Sequence, residues 1–156
     1  MYTIHKVILF IAVLAAWIGS CALKLDFTPV ASSGVDFISI CTAVYLAIYP
    51  AIQGNAKLVE KLRKQDDVRR DKSEIGVLNA YIIVGLIIGF ISIIAFCSVL
   101  VVNDRGGTIT ELLTKQRTVP FWRYALSSTC YALFAGDLVQ IFWIGRFIVN
   151  RVAFDS

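Results

Sequence analysis

The sequence predicts an all-α polytopic membrane protein, with four transmembrane helices, a charged cytoplasmic helical hairpin and a short interfacial helix. Three observations predict it. Asp, Glu, Lys, Arg and His are absent from Val7–Leu23, Phe37–Ala56 and Ile75–Asn103, and a fourth run, Tyr124–Gly145, breaks the rule only at Asp137. These runs approach or exceed the roughly 20 apolar residues that cross a hydrocarbon core about 30 Å thick. The chain is 58% hydrophobic and 17% charged, against about 45–50% and 25% in soluble domains. The longest polar stretch, Gln53–Glu74, is too short to bury a core of its own. One membrane domain over residues 1–156 is therefore expected, with spans at about 5–23, 36–56, 75–102 and 124–146.

The first run follows Lys6 and ends in Ile18-Gly19-Ser20-Cys21, which has the form of a bacterial lipoprotein signal. Three further spanning runs follow, so the segment is expected to be retained as a helix. Ala12, Ala16 and Gly19, with Ser20, are small residues at helical spacing. Without a hydrophobic drive between helices in lipid, such faces let backbones approach. Lys24–Asp36 contains Pro29, Ser32, Ser33 and Gly34 and reads as a turn. In the second run, Tyr45 and Tyr49 suit either the membrane interface or a helix contact.

The charged segment 57–74 carries Lys57, Lys61, Arg63, Lys64, Arg69, Arg70 and Lys72 among five acids. Glu60–Lys64 and Asp66–Arg70 are i,i+4 pairs, each supporting a helix by roughly 0.2–0.5 kcal/mol. The second run is thus expected to continue as a charged stalk that turns back into the third. This segment reads either as a solvated hairpin or as a partner-docking surface.

The third run exceeds the hydrocarbon thickness and must tilt or project. Gly85, Gly89 and Ser92 give it a small-residue face for packing within one chain or between chains. In the outer loop 103–123, residues Thr110–Arg117 read as the interfacial helix, stopped by Pro120 and anchored by Phe121 and Trp122. The fourth run ends at Trp143 and Arg146.

Ten of the 15 basic residues fall on the side of the termini and the hairpin. The positive-inside rule places that side in the cytoplasm of a bacterial inner membrane.

Asp137 lies near the bilayer centre, where an ionised carboxylate costs about 2.5–3.5 kcal/mol on insertion scales. Gln140 is one turn away, Ser127 and Cys130 share roughly its face, and Gly136 leaves room for a neighbour. Two readings stay open: an ionisable proton, cation or gating site, including a ring of acids around an oligomer axis, or a protonated carboxyl bonded to another helix. The four cysteines match in depth as Cys21–Cys41 and Cys97–Cys130, so bridges are conceivable, although small apolar packing residues are the simpler reading.

His5 is the only histidine and cannot build a metal cluster. No phosphate loop, Cys-x-x-Cys or intramembrane Ser–His pair is present. No cofactor and no enzymatic activity are expected. The net charge of +4 flanks apolar runs and suits lipid phosphates, so direct nucleic-acid binding is not expected. The expected partners are the lipid bilayer, further copies in a homo-oligomer, and a soluble cytoplasmic protein. The functions weighed are a sensor or effector working through such a partner, a small ion channel or holin-like permeability protein, and a small membrane enzyme.

In its span count, the basic segment Lys57–Lys72 and the long third run, the chain resembles the small four-helix membrane subunits of bacterial antiphage systems. Two comparisons apply, the membrane component of Kiwa and the exclusion protein of phage lambda. The resemblance is one of architecture over the whole chain, and no functional residue is carried over. The first comparison implies an oligomeric inner-membrane sensor of infection with a cytoplasmic DNA-binding partner. The second implies ion leakage.

Overall fold

A computed structural model of the chain describes residues 2–63, 73–104 and 119–150. Four of its helices are long and apolar enough to cross a membrane. The order is α1 (Thr3–Ala22), a 3₁₀ turn (Thr28–Val30), α2 (Ala31–Gln53), α3 (Ala56–Leu62), α4 (Glu74–Asp104) and α5 (Val119–Ile148).

The termination of α1 is local chemistry. Lys24 takes a left-handed backbone with φ 51°. Its N–H then reaches the Cys21 carbonyl and that of Leu25 reaches Ser20, the paired capping bonds that satisfy helix-end carbonyls. Asp26 follows, and its carboxylate accepts both the N–H and the hydroxyl of Thr28. Pro29 sits in the 3₁₀ turn, and α2 begins directly after it.

The second span thus starts about five residues earlier than expected. Ser32, Ser33 and Gly34 carry turn propensity, but Gly34 is buried beneath aromatic rings. A Cβ there would lie 3.1 Å from Phe96 and 3.3 Å from Phe27. Tertiary packing overrides propensity at this point.

A continuous charged stalk does not form. α2 ends at Gln53, Gly54 and Asn55 intervene, and α3 is a separate helix. Leu62, at the end of α3, is wholly buried in a cluster with Ile52, Val77 and Leu78. The α3 segment therefore folds against the start of α4, because burying a leucine is worth about 1.5–3 kcal/mol. Lys57 and Lys61 belong to α3 and Arg63 follows it, exposed. Lys64, Arg69, Arg70 and Lys72 lie outside the described residues, as does the expected interfacial helix 110–117.

Pro120, Phe121 and Trp122 belong to the first turn of α5 rather than to a loop. Proline is tolerated there because its missing N–H would have no intrahelical partner.

The spanning helices run antiparallel to their neighbours, α1 against α5, α5 against α4, and α4 against α2. The start of α1, the end of α5 and α3 share one end of the bundle, hereafter the hairpin end. There His5 meets both Tyr81 and Trp143, and Tyr81 meets Phe147. At the opposite end Phe27 packs on Phe96 and Tyr131. The bundle has a largely apolar core, an apolar exterior and a few buried polar side chains. Ile, Leu, Val and Phe side chains such as Phe10, Ile40, Ile94 and Phe142 are exposed, whereas Asp137, Gln140, Ser92 and Ser128 are buried. Apolar side chains outside and polar ones inside suit lipid as the solvent.

Candidate functional site

The site is built in two layers at the centre of α2, α4 and α5. Each layer takes one glycine from α4 and one polar residue from each of the other two helices. In the first, Gly89 lies between Thr42 and Asp137. A Cβ on Gly89 would be 2.7 Å from Thr42 Oγ1 and 3.9 Å from Asp137 Oδ1. In the second, one turn along, a Cβ on Gly85 would be 2.8 Å from the Tyr45 ring and 3.2 Å from Gln140 Cγ. The spacings match across the antiparallel helices: 42 and 45 on α2, 85 and 89 on α4, 137 and 140 on α5. Residues three or four apart share a helix face, so the polar side chains stack towards one another.

Burial is nearly complete. Asp137 is 1% exposed, Tyr45 2% and Gln140 0%. The Ser92 hydroxyl donates to Asp137 Oδ2 at 2.5 Å and so fixes the carboxyl group. The Gln140 amide Nε2–H donates to the Tyr81 carbonyl at 2.6 Å. Since that partner can only accept, the amide nitrogen is assigned and Oε1 must point elsewhere. Four oxygens, Thr42 Oγ1, Tyr45 Oη, Asp137 Oδ1 and Gln140 Oε1, have no hydrogen-bond partner among the described residues.

The layers continue towards the hairpin end through Tyr81, whose hydroxyl accepts the Tyr2 N–H at 3.3 Å and bonds His5 Nδ1. The His5 ring stacks on Trp143 with centroids 3.5 Å apart and planes 16° from parallel. Arg146 lies 5.8 Å from the Trp143 ring centre, within cation–π range. Towards the other end, the Ser127 hydroxyl accepts the Phe27 N–H, and the Tyr131 hydroxyl donates to the Asp26 carbonyl.

Sequence reasoning singled out Asp137 and Gln140, and the structure sets them one turn apart inside a single protomer. Asp137 faces the protomer's own α2 and α4. Gly85, Gly89 and Ser92 are consumed in the same intrachain contact. On α1, Ala12 and Ala16 are half-buried, but Gly19 has nothing within 4 Å of a Cβ and takes no part in close packing. The α1 contact is made by the glycine of the other helix: Val13 lies 3.2 Å and Leu9 4.0 Å from a Cβ on Gly136. All four cysteines are free, and Cys130 is buried while Cys97 is exposed.

Thr42, Tyr81 and the stacked His5 escaped sequence reasoning as site residues, and Tyr45 was assigned no more than an interface or a helix contact. A usable signal existed for α2. Thr42 and Tyr45 have the same i,i+3 spacing as Asp137 and Gln140, and both pairs face the Gly85–Gly89 groove. The stacking of His5 has no counterpart in local sequence.

No group of three or more His, Cys, Asp or Glu side chains that could hold a metal ion occurs among the described residues. Compared with protein-family models, with characterised proteins and with solved structures, the chain matches none, so the meaning of the site rests on its geometry.

Proposed function

We propose that the chain is a non-enzymatic sensor or effector subunit of a bacterial inner membrane, with cytoplasmic termini, acting on a soluble partner through the hairpin 57–74. The observation that carries this reading is the unbroken packing from the intramembrane polar core to the root of the hairpin. Gln140 bonds the Tyr81 carbonyl. Tyr81 belongs to the same buried cluster as Leu78, Val77 and Leu62, and Leu62 closes α3. A change in the Asp137 layers would thus move the segment that presents the basic residues. Coupling of this kind needs an element that two sites bias together, and the start of α4 is that element.

Phage defence is the setting we propose, on architectural resemblance. Homo-oligomer contacts would use the lipid-facing apolar surfaces, since the glycines of α4 are occupied within the protomer. Two experiments test the reading. Expression in a susceptible host should lower phage plating, and reversing Lys57, Lys61, Arg63 and Lys64 to Glu should abolish both that effect and copurification of the soluble partner. Unchanged plating rules out the defence role, and partner capture indifferent to these charges rules out the hairpin.

A second reading, ion passage, is favoured by the unpartnered oxygens on Asp137 and Gln140. Aromatic layers close both ends of the polar core within the protomer, so sensing is preferred. Conductance in liposomes that changes on substituting Asp137 would reverse that preference.

A further inference from the structure

We infer that the oxygens of Thr42, Tyr45, Asp137 and Gln140 form an intramembrane binding site for one small monovalent cation. The inference stands on the geometry of the site and does not depend on the role of the hairpin.

Four features carry it. First, four of the six buried side-chain atoms without a protein partner among the described residues are oxygens of these two layers, the others being Ser128 Oγ and Trp143 Nε1, and the four come from side chains more than nine-tenths buried. Buried polar groups are almost always satisfied, so four unpartnered oxygens in two adjacent layers point to a shared ligand. Second, two of the four, Asp137 Oδ1 and Gln140 Oε1, offer only lone pairs when the carboxyl is ionised. Their orientations are set by the Ser92 hydroxyl and the Tyr81 carbonyl, respectively. Such outer bonds aim ligands at a bound ion.

Third, Gly89 brings two of the oxygens to the same face of α4. Thr42 Oγ1 and Asp137 Oδ1 both lie within 4 Å of one point, the position a Gly89 Cβ would take. With no side chain on Gly89, nothing stands between these two oxygens and a shared ligand on that face of α4. Fourth, the charge count selects a monovalent ion. The site has one carboxylate and no basic side chain among the residues that form it. A single positive charge neutralises it, whereas a divalent ion would leave an uncompensated charge in a low-dielectric interior. Hard cations prefer oxygen ligands, and membrane proteins place coupling ions near the midplane.

The test uses the full chain purified in detergent at mildly alkaline pH, with sodium chloride as the probe and choline chloride as the control. Equilibrium dialysis with radioactive sodium is expected to give one ion per protomer, displaced by unlabelled sodium and not by choline. Sodium at ~100-fold its dissociation constant is expected to raise the melting temperature by roughly 5–10 °C over choline. Asp137→Asn, which keeps the shape and removes the charge, is expected to abolish both effects. Thr42→Val should weaken binding, and Thr42→Ser should restore it. Wild-type protein that binds no sodium and melts identically in both salts overturns the inference, in favour of a protonated Asp137 with hydroxyls bonded to one another. Asp137→Asn that binds sodium as the wild type does overturns it equally. Should Asp137→Asn fail to fold, the wild-type dialysis and the Thr42 pair decide.

Discussion

Substituting Gly85 with alanine probes the centre of the bundle with a single methyl group. The new Cβ would lie 2.8 Å from Tyr45 Cε2 and 3.2 Å from Gln140 Cγ. Neither neighbour can retreat easily, because the Tyr45 ring is buried between helices and Gln140 is tied to the Tyr81 carbonyl. Inserting a methyl group into a tight core costs about 1–3 kcal/mol. The gain in helix propensity from glycine to alanine returns about 1 kcal/mol, leaving a net loss on the order of 0–2 kcal/mol. At Gly89 the clashing atom is the Thr42 hydroxyl, 2.7 Å away. Threonine in a helix has two accessible rotamers, so Gly89→Ala should cost less. At Gly19 nothing lies within 4 Å, and alanine should be neutral or stabilising. Unfolding by titration of a denaturing detergent into mild micelles, followed by circular dichroism, should rank stability as Gly19→Ala above Gly89→Ala above Gly85→Ala. A Gly85→Ala protein as stable as Gly19→Ala would refute the close approach of α2 and α4.

Three further outcomes follow from the same contacts. Leu62→Ala should cost about 2–5 kcal/mol in the docking of α3, read as faster proteolytic cleavage within 57–74 while the spanning helices stay protected. Tyr81→Phe removes a hydroxyl that Tyr2 and His5 share, a loss of roughly 1–3 kcal/mol, visible as altered Trp143 fluorescence as the stacked His5 loosens. Because all four thiols are free, migration on a denaturing gel should be identical with and without reductant.

The four long apolar helices were legible because they depend on where charges are absent, and that is a property of sequence alone. The ends of the helices were less legible. Ser32, Ser33 and Gly34 favour a turn in isolation, and only the Phe27 and Phe96 rings above Gly34 draw them into α2. Pro120 carries two meanings, a stop for the preceding helix or the first turn of the next, and the structure uses the second. The α3 segment looked like a continuation of α2 because its charge pairs favour helix. Burial of Leu62 against Val77 and Leu78 bends it back instead, and that contact joins residues distant in sequence.

The candidate site was half legible. Asp137 is conspicuous as the one charge in an apolar run, and Gln140 follows from helical spacing. Thr42 and Tyr45 are ordinary in composition and gain their role from the register of α2 against the α4 glycines. The small-residue faces were recognised, but sequence could not say which partner they meet. Gly85 and Gly89 meet α2 of the same chain. Gly19 meets nothing, and the work of close approach on that side falls to Gly136.

The most direct measurement is amide hydrogen exchange on wild-type protein and Asp137→Asn in the same detergent. Residues 74–81, at the root of the hairpin, are expected to exchange faster in the variant, while residues 24–30 at the opposite end keep their protection. Identical exchange at the hairpin root, with the helical bundle intact, would show that the intramembrane carboxyl and the hairpin are not coupled.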